Sequence, residues 1–181
     1  MKPFKLFLAL FLLMLVIHQN SYSWEHRKTL QELSSSAPLI VLGEVLEVTP
    51  KVEAYLGQED FIMTYVRFAV KRVLKGSPKK DVLTLKIPGG QIGDRIIGGA
   101  HNFRFDTGEE ALLFLSPIEK DYYEIFSISG RLALVNKGNG EYLDCSLLAE
   151  DNVSKYGPAT TIRKTKIISR INTYLVMEGG E

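Results

Sequence analysis

The sequence predicts a mainly β fold, with five to six antiparallel strands curled into a barrel and a helix on either side of it. Three observations carry this expectation. From Ile62 on, Ile62, Thr64, Val66, Phe68 and Val70 fall on one face, and Met63, Tyr65, Arg67, Ala69 and Lys71 on the other, the period of a strand. Short β-rich runs then recur between turn clusters containing Gly, Pro and Asn, as in an all-β domain. Helices are expected only near the two ends, so the alternation of strand and helix that marks a parallel sheet is missing.

The elements follow in order. Thr29 and Glu32 have the spacing of a capping box, and Leu30, Leu33 and Ala37 share a helical face that must end before Pro38. Leu39-Ile40-Val41-Leu42 is continuously apolar and becomes alternating through Val48. This is the pattern of a strand buried on both faces that turns half-exposed, with Pro50 expected to end it. Residues 51–61 are polar and read as a loop. The stretch Thr64–Gly76 (TYVRFAVKRVLKG) also offers Val66, Val70, Val73 and Leu74 to a helical face. The five matches to a period of two outweigh those four, and its β-branched and aromatic content agrees. At Lys71-Arg72 two polar residues sit together and the phase slips, the mark of a β-bulge.

Val82, Leu83, Leu85 and Ile87 form the next strand, closed by Pro88-Gly89-Gly90. A glycine-rich segment follows, with Gly89, Gly90, Gly93, Gly98 and Gly99. It lacks both the Gly-Lys-Ser/Thr ending of a phosphate loop and the spacing of a dinucleotide site, and is expected to be a loop with tight bends. Asp106-Thr107-Gly108 turns into a buried strand, Ala111–Leu115. Tyr122–Phe126, Leu132–Val135 and Glu141–Leu143 are further strands, and a C-terminal helix over about 159–176 puts Ile168, Ile171 and Leu175 on one side. The barrel should span about 38–145, with a core drawn from Ile40, Val45, Val66, Phe68, Val70, Leu83, Leu85, Leu113 and Leu115.

The N-terminus predicts export. Lys2 and Lys5 precede an unbroken apolar run, Leu6–Ile17, and Ser21-Tyr22-Ser23 offers small residues where a signal peptidase reads, so residues 1–23 are expected to be a cleaved signal peptide. The run is short of the roughly 20 residues a spanning helix needs, so no membrane span is expected after cleavage. The remainder, 24–181, is expected to be one domain in the periplasm or outside the cell. Of 22 basic residues the leader takes Lys2 and Lys5, leaving 20 against 21 acidic ones. Such a chain exerts no general pull on nucleic acid or anionic lipid. Its only cysteine, Cys145, allows no internal disulfide. It is either a small buried hydrophobe or a thiol that pairs between chains.

Candidate chemistry is sparse. His101 sits near Asp106, Glu109 and Glu110, the one cluster suited to a metal or to acid–base work, but no H-E-x-x-H or G-x-S-x-G motif supports it. Arg67, Lys71, Arg72, Lys75, Lys79 and Lys80 gather on the outer face of the long strand and in the turn after it. They read as a solvated rim or, in the alternative, as a contact for an anionic partner. Aromatic interleaving beyond Tyr65 is slight, so a stacking platform for nucleic acid is not indicated.

Three segments in this order and spacing, "APLIVLGEVLEV", "YVRFAVKRVLKG" and "IPGGQIG…FRFDTGEEALLFL", resemble a group of exported bacterial proteins with an OB-like barrel. That plan is similar to the netrin-type modules of extracellular proteins, including the tissue inhibitors of metalloproteinases. The resemblance covers about residues 30–135, and Lys75-Gly76 and Gly108-Glu109 are its most specific marks. It implies an OB-like barrel. It does not carry over the inhibitors' mechanism, which uses an N-terminal cysteine on the protease zinc, because this chain after cleavage would begin at Trp24.

Together these readings point to an exported, non-catalytic binding module for a protein or another envelope component, with neither cofactor nor metal implied. The expected contact is the longest polar, glycine-containing loop, through Gln91, Asp94, Arg95, His101 and Asn102. The alternatives are a hydrolase or metal-dependent enzyme built around His101, and an anionic-surface binder using the Lys71–Lys80 rim.

Overall fold

The computed structural model describes residues 27–98, 103–119, 121–149 and 161–178. The expected signal peptide therefore lies outside the described residues, as do His101 and Asn102.

Helix α1, Leu30–Ser36, opens on the expected capping box: Thr29 Oγ1 accepts from the Glu32 amide at 3.0 Å, and the Glu32 carboxylate accepts from the Thr29 amide at 2.8 Å. Strands β1 (Leu39–Tyr55) and β2 (Gln58–Lys75) form a long antiparallel hairpin. This corrects two expectations. Pro50 does not end β1 but pairs with Thr64 inside it, and residues 51–61 are not a loop but the outer half of the hairpin. The physical reason is an open edge. Beyond Val45, the last residue of β1 bonded to the segment leading into β6, its only strand partner among the described residues is β2, and a missing proline N–H is tolerated on an edge.

Strands β3 (Val82–Pro88), β4 (Gly90–Ile92), β5 (Arg95–Ile97), β6 (Glu110–Pro117), β7 (Tyr122–Ile125), β8 (Arg131–Lys137), β9 (Gly140–Asp144) and β10 (Thr161–Arg163) follow, and helix α2, Lys164–Glu178, ends the described chain. The main sheet runs β1-β2-β3-β7-β6-β8-β9-β10, with β1 also paired to β6. Its pairings are antiparallel except β3 with β7. The sheet is thus larger than the five to six strands expected, because the β8–β9 hairpin and β10 extend it beyond β6. The glycine-rich segment is corrected as well: β4 and β5 make a separate two-stranded hairpin, with Gly93 and Asp94 as its turn.

Because β1 pairs with both β2 and β6, the pairings β1-β2-β3-β7-β6 return on themselves. Inside this ring, Val41, Val45, Val66, Phe68, Leu83, Leu85, Leu113 and Leu115 form one buried cluster. The alternate residues of β1 and β6, among them Ile40, Leu42, Leu112 and Phe114, face the other way and build a second cluster with Leu30 and Leu33 of α1 and Ile167 and Ile171 of α2. That is why these two strands read as apolar on both faces. All of the expected core is buried except Val70, which is half-buried. The bulge lies where the phase slips: Leu42 pairs with Arg72 and Gly43 with Val70, leaving Lys71 as the extra residue.

Candidate functional site

The start of the glycine-rich segment, Gly89-Gly90, folds against β2 of the long hairpin. Gly89 N–H donates to Ile62 O at 2.9 Å. A Cβ on Gly90 would stand 2.3 Å from Thr64 Oγ1, so only glycine lets β4 lie this close to β2. Thr64 Oγ1 donates to Gly89 O at 2.6 Å. Between the β4–β5 hairpin and the end of the ring is a cavity of about 270 Å³, lined by Val48, Pro50, Thr64, Ile87, Gln91, Ile96, Ile97, Phe103, Arg104 and Phe105 among others. Its walls are apolar and its polar groups few, the usual make-up of a recognition pocket.

Of the residues expected to bind, Gln91 lines the cavity, and its Nε2 donates to Gly93 O at 2.9 Å. Asp94 is exposed in the hairpin turn. The Arg95 guanidinium is turned to the backbone, donating to Asp60 O. These three share one hairpin, but only Gln91 reaches the cavity.

Near the other end of this segment, Asp106–Glu109 is a tight turn closed by the Glu109 amide on Asp106 O at 3.0 Å, with Gly108 at φ +84°. Glu109 is not free for acid–base work. Its carboxylate is bonded to the Arg131 guanidinium in a largely buried pair, and that guanidinium lies 4.8 Å from the centre of the Phe105 ring. The turn also extends the edge of β1, since Val45 N donates to Glu109 O at 2.9 Å and Gly108 N to Val45 O at 2.8 Å. Asp106 stands 3.6 Å from Arg104. Among the described residues no group of three or more His, Cys, Asp or Glu is placed to hold a metal ion.

The basic rim is largely occupied. Lys71 is paired with both Glu44 and Glu110, whose carboxylates raise its ammonium to about 12, that of Glu110 foremost. Arg67 meets Glu47 at 3.2 Å and Lys80 meets Asp121 at 2.8 Å. Lys75 serves α1 instead: its Nζ donates to Ser34 O at 2.8 Å and to Ser35 O, satisfying carbonyls that a helix C-terminus leaves open.

A second constellation joins residues far apart in the chain. Tyr65 Oη donates to Glu53 at 2.6 Å, Lys86 meets the same carboxylate at 3.0 Å, and the Tyr122 ring stands edge-on to Tyr65 at 5.7 Å. Burial, then the bond to Glu53, pushes the Tyr65 hydroxyl to about 12, and that bond holds Glu53 below the ordinary carboxylate range. Sequence reasoning found Tyr65 but not its partners, because only the register Tyr65–Lys86 and the β3–β7 pairing bring them together. Cys145 is buried, and burial raises its thiol to about 12, so it is the small hydrophobe of the two readings. Among the described residues no helix is long and apolar enough to cross a membrane.

No protein-family model matches the chain, and no curated protein is similar to it in sequence.

Proposed function

We propose that this protein is an exported, non-catalytic binding module, an OB-like barrel whose β4–β5 end engages a protein or another envelope component. The observation that carries the reading is the cavity beneath that hairpin, apolar inside and edged by Gln91 and Arg104. The ring of five paired strands supports the barrel, the plan of a fold that serves many binding tasks. The charged n-region, the apolar run Leu6–Ile17 and Ser21-Tyr22-Ser23 support export. The engagement of Glu109 by Arg131 speaks against acid–base use of the 101–110 cluster, and the ion pairs of Lys71, Arg67 and Lys80 speak against a polyanion site on the rim.

The test is a pull-down from envelope extract, with the intact mass of the recovered protein read alongside. Wild type is compared with Gln91→Ala/Arg95→Ala/His101→Ala and with Lys71→Ala/Arg72→Ala. The first variant should lose the partner and the second keep it, and the mass should lack residues 1–23. Loss in the second variant alone overturns the site, and a retained leader overturns export.

A further inference from the structure

We infer that the face of the β1–β2 hairpin carrying Val48, Pro50 and Val52, from the cavity out to Leu56, docks an apolar segment of a protein partner that is flanked by Lys or Arg. The inference rests on the binding reading above and states what is bound. It begins from an outlier. Leu56 has φ +47°, the one non-glycine residue with positive φ among those described, and its side chain is 87% exposed. With Gly57 at φ +81° it forms a two-residue turn between Tyr55 and Gln58, a place where Asn-Gly is the unstrained and soluble choice. A leucine here breaks two local rules at once, backbone comfort and surface polarity, and such breaches gather at functional positions.

The outlier is continuous with the cavity. Val48, Pro50 and Val52 alternate along β1, so they share a face. Val48 and Pro50 line the cavity, while Val52 beyond it is 49% exposed and Ile96 on the cavity's outer side is 67% exposed. An apolar strip therefore runs from the pocket to the tip. Its surroundings are acidic. Glu59, Asp60 and Asp94 are exposed and enter no ion pair among the described residues; of the nearby cations, Arg95 is tied to Asp60 O and Arg104, at the cavity, stands 3.6 Å from Asp106. At roughly 3.3 Å per strand residue, Asp60 stands about 7 Å along β2 from Gln58, the first residue after the turn. An apolar strip with unpaired carboxylates at its edge complements a hydrophobic segment set between basic residues, and it repels anionic lipid and nucleic acid.

The experiment uses the mature chain and synthetic peptides with one Leu/Phe core, flanked by Lys and Arg, by Glu, or by Ser. Anionic and zwitterionic vesicles run in parallel. The Lys/Arg-flanked peptides should bind most tightly, and less tightly as salt rises. Leu56→Asn should weaken them at least tenfold while leaving the melting temperature unchanged or higher, since Asn relaxes the turn. Glu59→Lys/Asp60→Lys should weaken them similarly. The inference is overturned if no peptide binds, if Glu-flanked peptides bind equally well, if Leu56→Asn changes nothing, or if vesicles rather than peptides take up the chain through Leu56. Should peptides fail while the envelope pull-down still depends on Gln91, Arg95 and His101, this inference falls and the binding module stands. Should Leu56-dependent peptide binding appear while the pull-down ignores those three residues, the site assigned above falls and this surface stands.

Discussion

Glu109 shows how far a residue's neighbours in sequence can mislead about its neighbours in space. From sequence it belongs with His101 and Asp106, a small acidic group beside a histidine. In the fold its carboxylate meets Arg131, 22 positions away, with side chains only 15% and 18% exposed. Nothing local to either residue announces the pair, because it is set by the β6–β8 register, in which Leu113 stands opposite Arg131. Removing one partner strands a poorly solvated charge, and here the Arg131 Nε already lacks a hydrogen-bond acceptor. Glu109→Gln should therefore cost about 3 kcal/mol in urea unfolding, and Glu109→Leu/Arg131→Met should recover much of that loss. A Glu109→Gln protein as stable as wild type would show the pair to be ornamental.

At the scale of elements, the legible parts were those whose signal is local. The capping box of α1, the period of β2 with its slip at Lys71, and the apolar runs of β3 and β6 all depend on adjacent residues, and all are found in place. What escaped were elements decided by distant company. Pro50 reads as a stop, yet it stands within β1 because the pairing with β6 has ended and no donor is needed there. The β4–β5 hairpin is glycine-rich and reads as a loop, because it is placed by contacts with β2, the Gly89 amide on Ile62 O and Gly90 against the Thr64 and Ile62 side chains, and not by a pattern of its own. The cavity was invisible for the same reason. Gly43 offers a direct test of such backbone company. A Cβ there would fall 2.0 Å from Ala69 O and 2.6 Å from Phe68 Cε1, both held in β2. Gly43→Ala should destabilise by about 2–4 kcal/mol, whereas Gly138→Ala, which meets open space, should be nearly silent in the same urea titration.

Across the whole molecule, β1 and β6 divide two apolar clusters and contribute to both. The clusters share their backbone, so they should be lost together. Phe68, inside the ring, and Phe114, under the helices, are both fully buried. Phe68→Ala and Phe114→Ala should each cost about 3–5 kcal/mol and shift one common transition, followed by far- and near-ultraviolet circular dichroism. Separated transitions would show two independent units instead. Phe68→Asp should prevent folding, and Lys71→Ala, at an exposed ion pair, should move the midpoint little.

The closure of β1 onto β6 also sets an order of assembly. The long hairpin joins neighbours in the chain and can zip from the turn at Leu56-Gly57, but Leu39 finds Leu115 and Glu44 finds Glu110 only after dozens of intervening residues have been placed. Such non-local pairing is slow. Until it happens, Leu39–Gly43 carries two apolar faces and an unpaired row of amides and carbonyls, the combination most prone to recruit another chain. A segment that ends deeply buried is thus, during folding, open to such recruitment.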